Sequence, residues 1–410
     1  MLTQTKIQLQ SWPYFALDEV QAVTRVLESG KVNYWTGTEG REFEREYAEY
    51  LGVPHTIALH NGTLALELAL YAYDIGNGDE VITTPRTFIA SASAALMRGA
   101  VPIMADVDPD SQNITAETIR PHITPHTRAI IAVHLAGWPC DLDPIMELAK
   151  EHNLIVIEDC AQAHGAFYKG RPVGSIGHMG AFSFCQDKIM TTGGEGGLLS
   201  LKDETLWRKA WAYKDHGKSY AAVYEREHPP GYRWLHESFG TNWRMLEVQA
   251  VIGRIQLRKL PVWVERRRRN AAVLEHRLSR FEGIRITPSP PEILHSHYKY
   301  YAFVRPERLE PGWSRDRIVG EISALGVPCF SGSCPEIYLE KAFQDAGLGP
   351  SERLKVARAL GETSLMFLVH PTLSVNDMAY MADSIERVLE KALGKCSSSD
   401  TAFPSKEHAI

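Results

Sequence analysis

Between about residues 56 and 205 the chain alternates short, β-branched apolar runs with longer helical patterns. The runs "HTIALH", "EVITTP", "VPIMADV", "AIIAVHL" and "LIVIEDC" read as strands, and "TLALELALYAY" and "LDPIMELAKEHN" as helices between them. Strands apolar on both sides of the pleat are covered on both faces. The alternation therefore predicts an α/β fold, a large mainly parallel sheet sandwiched by helices.

After Asn242 the pattern changes. "MLEVQAVIGRIQLRKL" and "VERRRRNAAVLEHRLSRF" read as two long helices separated by Pro261, bridging out of the first unit. Beyond them "HYKYYAFVRP" reads as a strand, and "SRDRIVGEISALG", "LKVARALGETSLMF" and "NDMAYMADSIERVLEKAL" as helices. The expected organisation is a large domain over 1–255 with an N-terminal arm, a small α+β C-terminal domain over 256–393, and a disordered polar tail over 394–410. No internal repeat is apparent.

Length supports two units, because 410 residues exceed the usual size of one core. A formal net charge of −6 argues against a dedicated binder of nucleic acid or of an anionic membrane, since both require a positive field. The local exception, "ERRRRN" with Arg266 to Arg269, lies in a helix-like stretch and reads as a solvated or intersubunit face. Six scattered cysteines, none spaced C-x-x-C, fit reduced thiols in a cytoplasm rather than disulfides or zinc. The N-terminus shows no secretory pattern and no apolar run is long enough to span a bilayer.

Three stretches carry candidate chemistry. In "LHNGTLALELAL" a strand ends at His60 and a helix begins after Asn61-Gly62-Thr63. Such a turn offers a phosphate backbone amides, a hydroxyl and the positive helix end, but on this stretch alone an ordinary N-cap turn is the simpler reading. In "NLIVIEDCAQAHGA" a buried strand ends on Glu158 and Asp159, which places an acid at the carboxyl edge of the sheet. That acid could be a metal ligand, a general base, a helix cap or the counter-ion of a protonated heterocycle; no histidine-rich ligand set accompanies it.

The third stretch, "FSFCQDKIMTTGGEGG", sets Lys188 between a strand and a loop of four glycines. A lysine near a phosphate turn and a buried acid supplies what pyridoxal phosphate needs: an amine for a Schiff base, a carboxylate for the pyridinium nitrogen, and donors for the phosphate. Once freed, the same amine can shuttle a proton between two carbons. Two rival motifs fail. "AYKDHGKSY" imitates the end of a P-loop but has Ala212 where the first glycine belongs, and "GGEGG" lacks the spacing of a dinucleotide fingerprint.

The stretches "NGTLALELAL", "TTPRTFIASASA", "VIEDCAQAHGA", "FSFCQDKIMTTGGEGG" and "FGTNWRMLEVQAVIGRIQL" resemble, in order and spacing, the DegT/DnrJ/EryC1/StrS aminotransferases, over about residues 10 to 393. The resemblance implies the aspartate aminotransferase-like fold (fold type I) with pyridoxal 5′-phosphate as cofactor. It implies Lys188 as the cofactor-bonding lysine, Asp159 as the pyridinium partner and Gln162 as the contact to the ring hydroxyl. Gly62, Thr63 and Ser183 would hold the phosphate, and Phe88 would stack on the ring. Asn242 resembles the residue that reaches the neighbouring subunit's cofactor, which implies a homodimer with shared active sites. Relatives with histidine in place of this lysine are sugar dehydratases, so Lys188 implies transamination. Two departures stand out: the extra glycine in "TTGGEGG", and "FLVHPTLS" where a Leu-Pro wording is commoner.

By the same resemblance L-glutamate would donate the amine and a nucleotide-linked 3- or 4-keto sugar would accept it. The product would be an amino sugar for lipopolysaccharide, O-antigen, capsule, other glycans or antibiotics. Trp35, His164, Arg244 and Tyr298 are candidate substrate contacts, with His295 and His297 near the last; no metal site is expected. Two alternatives remain open at this point: a synthase of the same family acting on a non-nucleotide substrate, as aminohydroxybenzoate synthases do, and a cofactor-binding regulator without turnover. The set Lys188, Asp159 and Gln162 argues against the second, because a binding module needs no proton-shuttling amine.

Overall fold

The computed structural model describes residues 9–394, so residues 395–410 of the polar tail lie outside the described residues. Nine strands form in the first half: β1 (His55–Leu59), β2 (Glu80–Thr83), β3 (Val101–Met104), β4 (Thr127–Val133), β5 (Ile155–Asp159), β6 (Phe167–Tyr168), β7 (Arg171–Pro172), β8 (Met179–Ser183) and β9 (Gly197–Leu201). Seven of them build the main sheet in the order β1-β9-β8-β5-β4-β2-β3. Every pairing is parallel except those of β9, which runs against both β1 and β8. The expected α/β architecture is present.

The strands are apolar because both faces are covered. Ile131 and Val133 of β4 belong to one core cluster with the helix Gly62–Ala72, whereas Ile130 and Ala132 belong to another with the helix Leu142–Glu151. Gly62–Ala72 is apolar nearly all round, as a helix sunk in a core must be, and it packs on β8 and β9. Its first residue therefore points at the carboxyl ends of the parallel strands.

The second half begins with a helix of 32 residues, Glu247–Leu278, which runs unbroken through Pro261. The expected break there does not occur. A proline in a helix removes one hydrogen bond, but the buried residues Leu257, Leu260 and Val264 on either side hold the segment to the large core. Farther along, Ala271, Leu274 and Leu278 pack into a second core. The position 255/256 thus falls inside a continuous helix, and the packing partner changes between Val264 and Ala271.

Strands β10 (Ile284–Arg285), β11 (Ile293–Leu294), β12 (Tyr300–Val304), β13 (Cys329–Phe330) and β14 (Ser364–Phe367) follow. Four make an antiparallel sheet, β10-β12-β14-β13, while β11 crosses to pair with β6. The segment "LKVARALGETSLMF", expected to be one helix, divides into helix Lys355–Thr363 and strand β14. Its second half is extended because it fills the slot between β12 and β13. Helices Arg315–Ala324 and Val375–Leu393 complete this α+β unit.

Candidate active site

A cavity of about 1010 Å³ opens over the carboxyl ends of the main sheet and is closed on its far side by β12, β14 and the long helix. Ligands gather at such edges in α/β proteins because strand ends and helix N-termini converge there. Gly62, Thr63, Phe88, Asp159, Gln162, Ser183, Lys188 and Tyr298 all line it.

The phosphate-sized corner forms from backbone. Asn61 caps the helix Gly62–Ala72, its Oδ1 accepting from the Leu64 amide at 3.0 Å, so the first amides remain free for a ligand. A Cβ on Gly62 would stand 2.5 Å from the Ser183 Cβ, so only glycine lets strand end and helix start approach this closely. The glycine loop serves the same closeness. Gly193 and Gly194 have φ of +84° and +116°, and a Cβ on Gly197 would strike the Asn61 carbonyl.

Lys188 follows β8 by five residues, and its Nζ lies 3.7 Å from Asp187 Oδ1 and 5.1 Å from the centre of the Tyr298 ring. Its carbonyl accepts from Trp12 Nε1 at 2.8 Å, which fixes the backbone from which the amine swings. The Tyr298 hydroxyl donates to Asp187. Burial pushes Asp187 up, but Lys188, the Tyr298 hydroxyl and Lys299 outweigh it, leaving its carboxyl below the ordinary value.

At the end of β5, Asp159 Oδ2 accepts from the Ser91 hydroxyl at 2.7 Å and Oδ1 from the Ala161 amide at 3.1 Å. Burial raises its pKa despite these donors, so the site would favour a cationic ligand atom beside it. Gln162 Oε1 accepts from the Ala136 amide at 2.8 Å, which leaves its amide nitrogen for a ligand oxygen. Beneath, Glu158 accepts from the amides of Gly174, Ile176 and Gly177 and pairs with His134 Nε2 at 3.0 Å. His134, Glu158 and Cys160 have metal-like spacing, but these hydrogen bonds already occupy the lone pairs.

The structure does not bring every expected residue to the cavity. His164 is wholly buried behind it: Nδ1 accepts from the Tyr47 hydroxyl at 2.8 Å and Nε2 donates to the Ser183 carbonyl at 2.7 Å. Burial lowers its pKa to about 4, so it is a neutral brace for Ser183. Trp35 packs against Trp211 and Tyr224 beneath Lys218, Arg244 pairs with Asp215, and Asn242 is exposed and bridges to Asp215. These three form one patch outside the cavity of their own chain. His295 and His297 stack at 3.8 Å in a separate small recess.

Among the cavity residues that escaped the sequence reading are Trp12, Ser91, Arg267, Lys299 and His370. One carried a signal. Leu260, Val264, Arg267, Ala271, Leu274 and Leu278 are all buried and recur at alternating steps of four and three, so the helical period itself places Arg267 inward. The other three arginines of Arg266–Arg269 are exposed, as expected of a solvated face.

Known proteins resemble this one in sequence and in structure. The solved aminotransferase of Psychrobacter cryohalolentis is 58% identical, with a TM-score of 0.92 over 93% of this chain and 99% of that one. GDP-perosamine synthase of Caulobacter vibrioides is 37% identical over 360 residues, 87% of this chain and 92% of that protein. The PLP form of a Streptococcus pneumoniae structure, 26% identical, superposes with a TM-score of 0.83 over 94% of this chain and 99% of that one.

The residues fit pyridoxal phosphate. The glycine-lined cradle at Gly62 suits its phosphate, and the buried carboxylate of Asp159 suits its ring nitrogen. Fold and site together define a pyridoxal-phosphate-dependent aminotransferase. More narrowly, the chain belongs to the DegT/DnrJ/EryC1/StrS aminotransferase family, whose model matches residues 14–386.

Proposed function

We propose that this aminotransferase moves the amino group of L-glutamate onto a nucleotide-linked 3- or 4-keto-deoxy sugar, giving an amino sugar for a surface polysaccharide, another glycan or an antibiotic. The observation that carries the reading is the cavity. At about 1010 Å³ it sits at the top of the ~300–1,000 Å³ range of small-molecule sites, with room for a cofactor and a bulky acceptor together. The Caulobacter relative named GDP-perosamine synthase supports a nucleotide-linked acceptor.

Bound pyridoxal phosphate supplies an electron sink for the carbon that loses or gains a proton. The chain's own groups do the rest. Lys188 Nζ takes that proton and returns it to the neighbouring carbon. Asp159, oriented by Ser91, would set negative charge against the ring nitrogen; Gly62, Thr63 and Ser183 would hold the phosphate; Phe88, 66% exposed, would lie against the ring. Gln162 would meet the ring hydroxyl.

The same reading takes the protein as a cytoplasmic homodimer. Asn242, Trp35 and Arg244 share a patch outside their own cavity, which supports their serving the partner's site. The test is to incubate the PLP-loaded protein with L-glutamate and a panel of 3- and 4-keto sugar nucleotides and to identify products by mass. Formation of an amino sugar nucleotide with stoichiometric 2-oxoglutarate supports the proposal; amination of a non-nucleotide acceptor alone refutes it.

A further inference from the structure

Three lysine or arginine side chains are wholly buried among the described residues: Arg86, Lys214 and Arg267. Arg86 hydrogen-bonds Gln112 and Ser364, and Lys214 lies 3.7 Å from the centre of the Tyr34 ring; neither lines the cavity. Arg267 does line it. Only its Nη1 is engaged, donating to the carbonyls of Tyr298 at 3.2 Å and His297 at 3.5 Å, while Nε and Nη2 have no partner among the described residues. Among the described residues no carboxylate forms an ion pair with it; Asp187, already engaged by Tyr298 and Lys188, favours its charge without contacting it, and burial outweighs that. A buried guanidinium without a paired counter-ion is costly, and an anion arriving from outside would relieve that cost.

The position of Arg267 selects the anion. Its guanidinium lies 5.1 Å from the ring centre of Trp12, the residue whose indole nitrogen holds the Lys188 carbonyl. Lys299 Nζ stands 4.5 Å from the Tyr298 ring, the ring that Lys188 Nζ also faces at 5.1 Å. The fork is thus on the wall beside the reacting amine. In an amino acid, the amine and the α-carboxylate share one carbon, so both reach this corner together; the diphosphate of a nucleotide sugar is separated from the reacting carbon by most of the sugar ring. A planar fork of two free N–H groups matches a carboxylate.

We propose that Arg267, with Lys299 beside it, binds a carboxylate of the amino-acid donor and so positions its amine at Lys188. The inference rests on the amino-acid donor of the proposed function. It assigns a binding role to a residue that the arginine run had concealed.

The test uses PLP-loaded wild type, R267Q and R267K, with glutarate as an unreactive dicarboxylate probe and GDP and UDP as acceptor-side probes, read by calorimetry and thermal shift. Glutarate should raise the Tm of the wild type, its Kd should rise at least tenfold in R267K, and its binding should vanish in R267Q, with GDP and UDP binding unchanged. Unliganded R267Q should melt no lower than the wild type, because it lacks the unpaired charge. R267K keeps the charge and loses the fork, so it decides the matter if R267Q does not fold. Equal glutarate affinity in wild type and R267K overturns the proposal, as does loss of GDP or UDP binding with glutarate binding intact, which assigns the fork to the acceptor. A wild type that does not bind glutarate overturns the donor assignment itself, whereas failure to aminate any keto-sugar nucleotide with this binding pattern intact leaves Arg267 in place and removes only the acceptor.

Discussion

Trp12 and Lys188, 176 positions apart, meet through one hydrogen bond: the indole Nε1 donates to the lysine carbonyl at 2.8 Å. The aromatic ring also forms one face of the pocket around Arg267. Trp12→Phe keeps an apolar ring and deletes the donor. It should cost about 1 kcal/mol of stability and lower kcat more than it raises KM, since it loosens the backbone from which the amine acts. Denaturant unfolding and steady-state kinetics check this.

On the proposed assignment, Lys188→Ala removes the covalent anchor and the proton carrier together. The visible absorbance of the lysine-bound cofactor should be absent, and turnover with L-glutamate should fall by at least the ~10²–10⁴-fold ascribed to a positioned acid–base group. Retained visible absorbance in the variant would refute the assignment.

Asp159→Asn preserves shape and can keep one of the two accepted bonds, that from Ser91 or that from the Ala161 amide, while removing the charge. Cofactor should still bind, and amination should slow about 10²–10³-fold, the scale of losing one preorganised electrostatic group. Ser91→Ala should act in the same direction and more weakly, because it disturbs only the orientation of Asp159. Single-turnover rates of the two variants separate these effects.

Gly62→Ala places a methyl 2.5 Å from the Ser183 Cβ. Strand end or helix start must shift, at a cost of about 1–3 kcal/mol, and the phosphate corner opens. Weaker binding of pyridoxal phosphate and of inorganic phosphate to the apoprotein is expected; unchanged affinity for both would show that the corner is not the phosphate site.

Burial pushes Lys299 down from the ordinary 10.5 to about 8; Asp187 opposes the shift, and Arg267 and Lys188 reinforce it. Between those values the unfolded chain binds more protons at this residue than the folded one. The contribution of Lys299 to stability therefore rises with pH across that window and is lost as pH falls through about 8. Tm measured against pH for wild type and Lys299→Met should diverge in the wild type's favour above pH 8, while glutarate affinity of the wild type falls as the ammonium loses its proton.

Much of this could be read from the chain. The apolar runs named five strands of the main sheet correctly, and the motifs around Gly62, Asp159 and Lys188 converge on one cavity. What escaped was set by distant contacts. Strand β9 runs against its neighbours because β1 and β8 flank it, and no local pattern records that. Pro261 reads as a breaker until the cores on both sides hold the helix straight through it. Arg267 hides in a run of four arginines whose other members are exposed; only the spacing of its apolar companions reveals that it faces inward.

The unbroken helix Glu247–Leu278 bears on how such a protein can be re-engineered. At about 1.5 Å per residue it is a rod of roughly 48 Å that begins in one core and ends in the other. Hybrids that splice the front half of this chain to the back half of a relative at 255/256 would cut the rod inside its buried stretch and mismatch the large core, which has members on both sides of the cut, while the second core came over whole. New acceptor preferences are better sought by point changes around the cavity mouth than by exchanging halves.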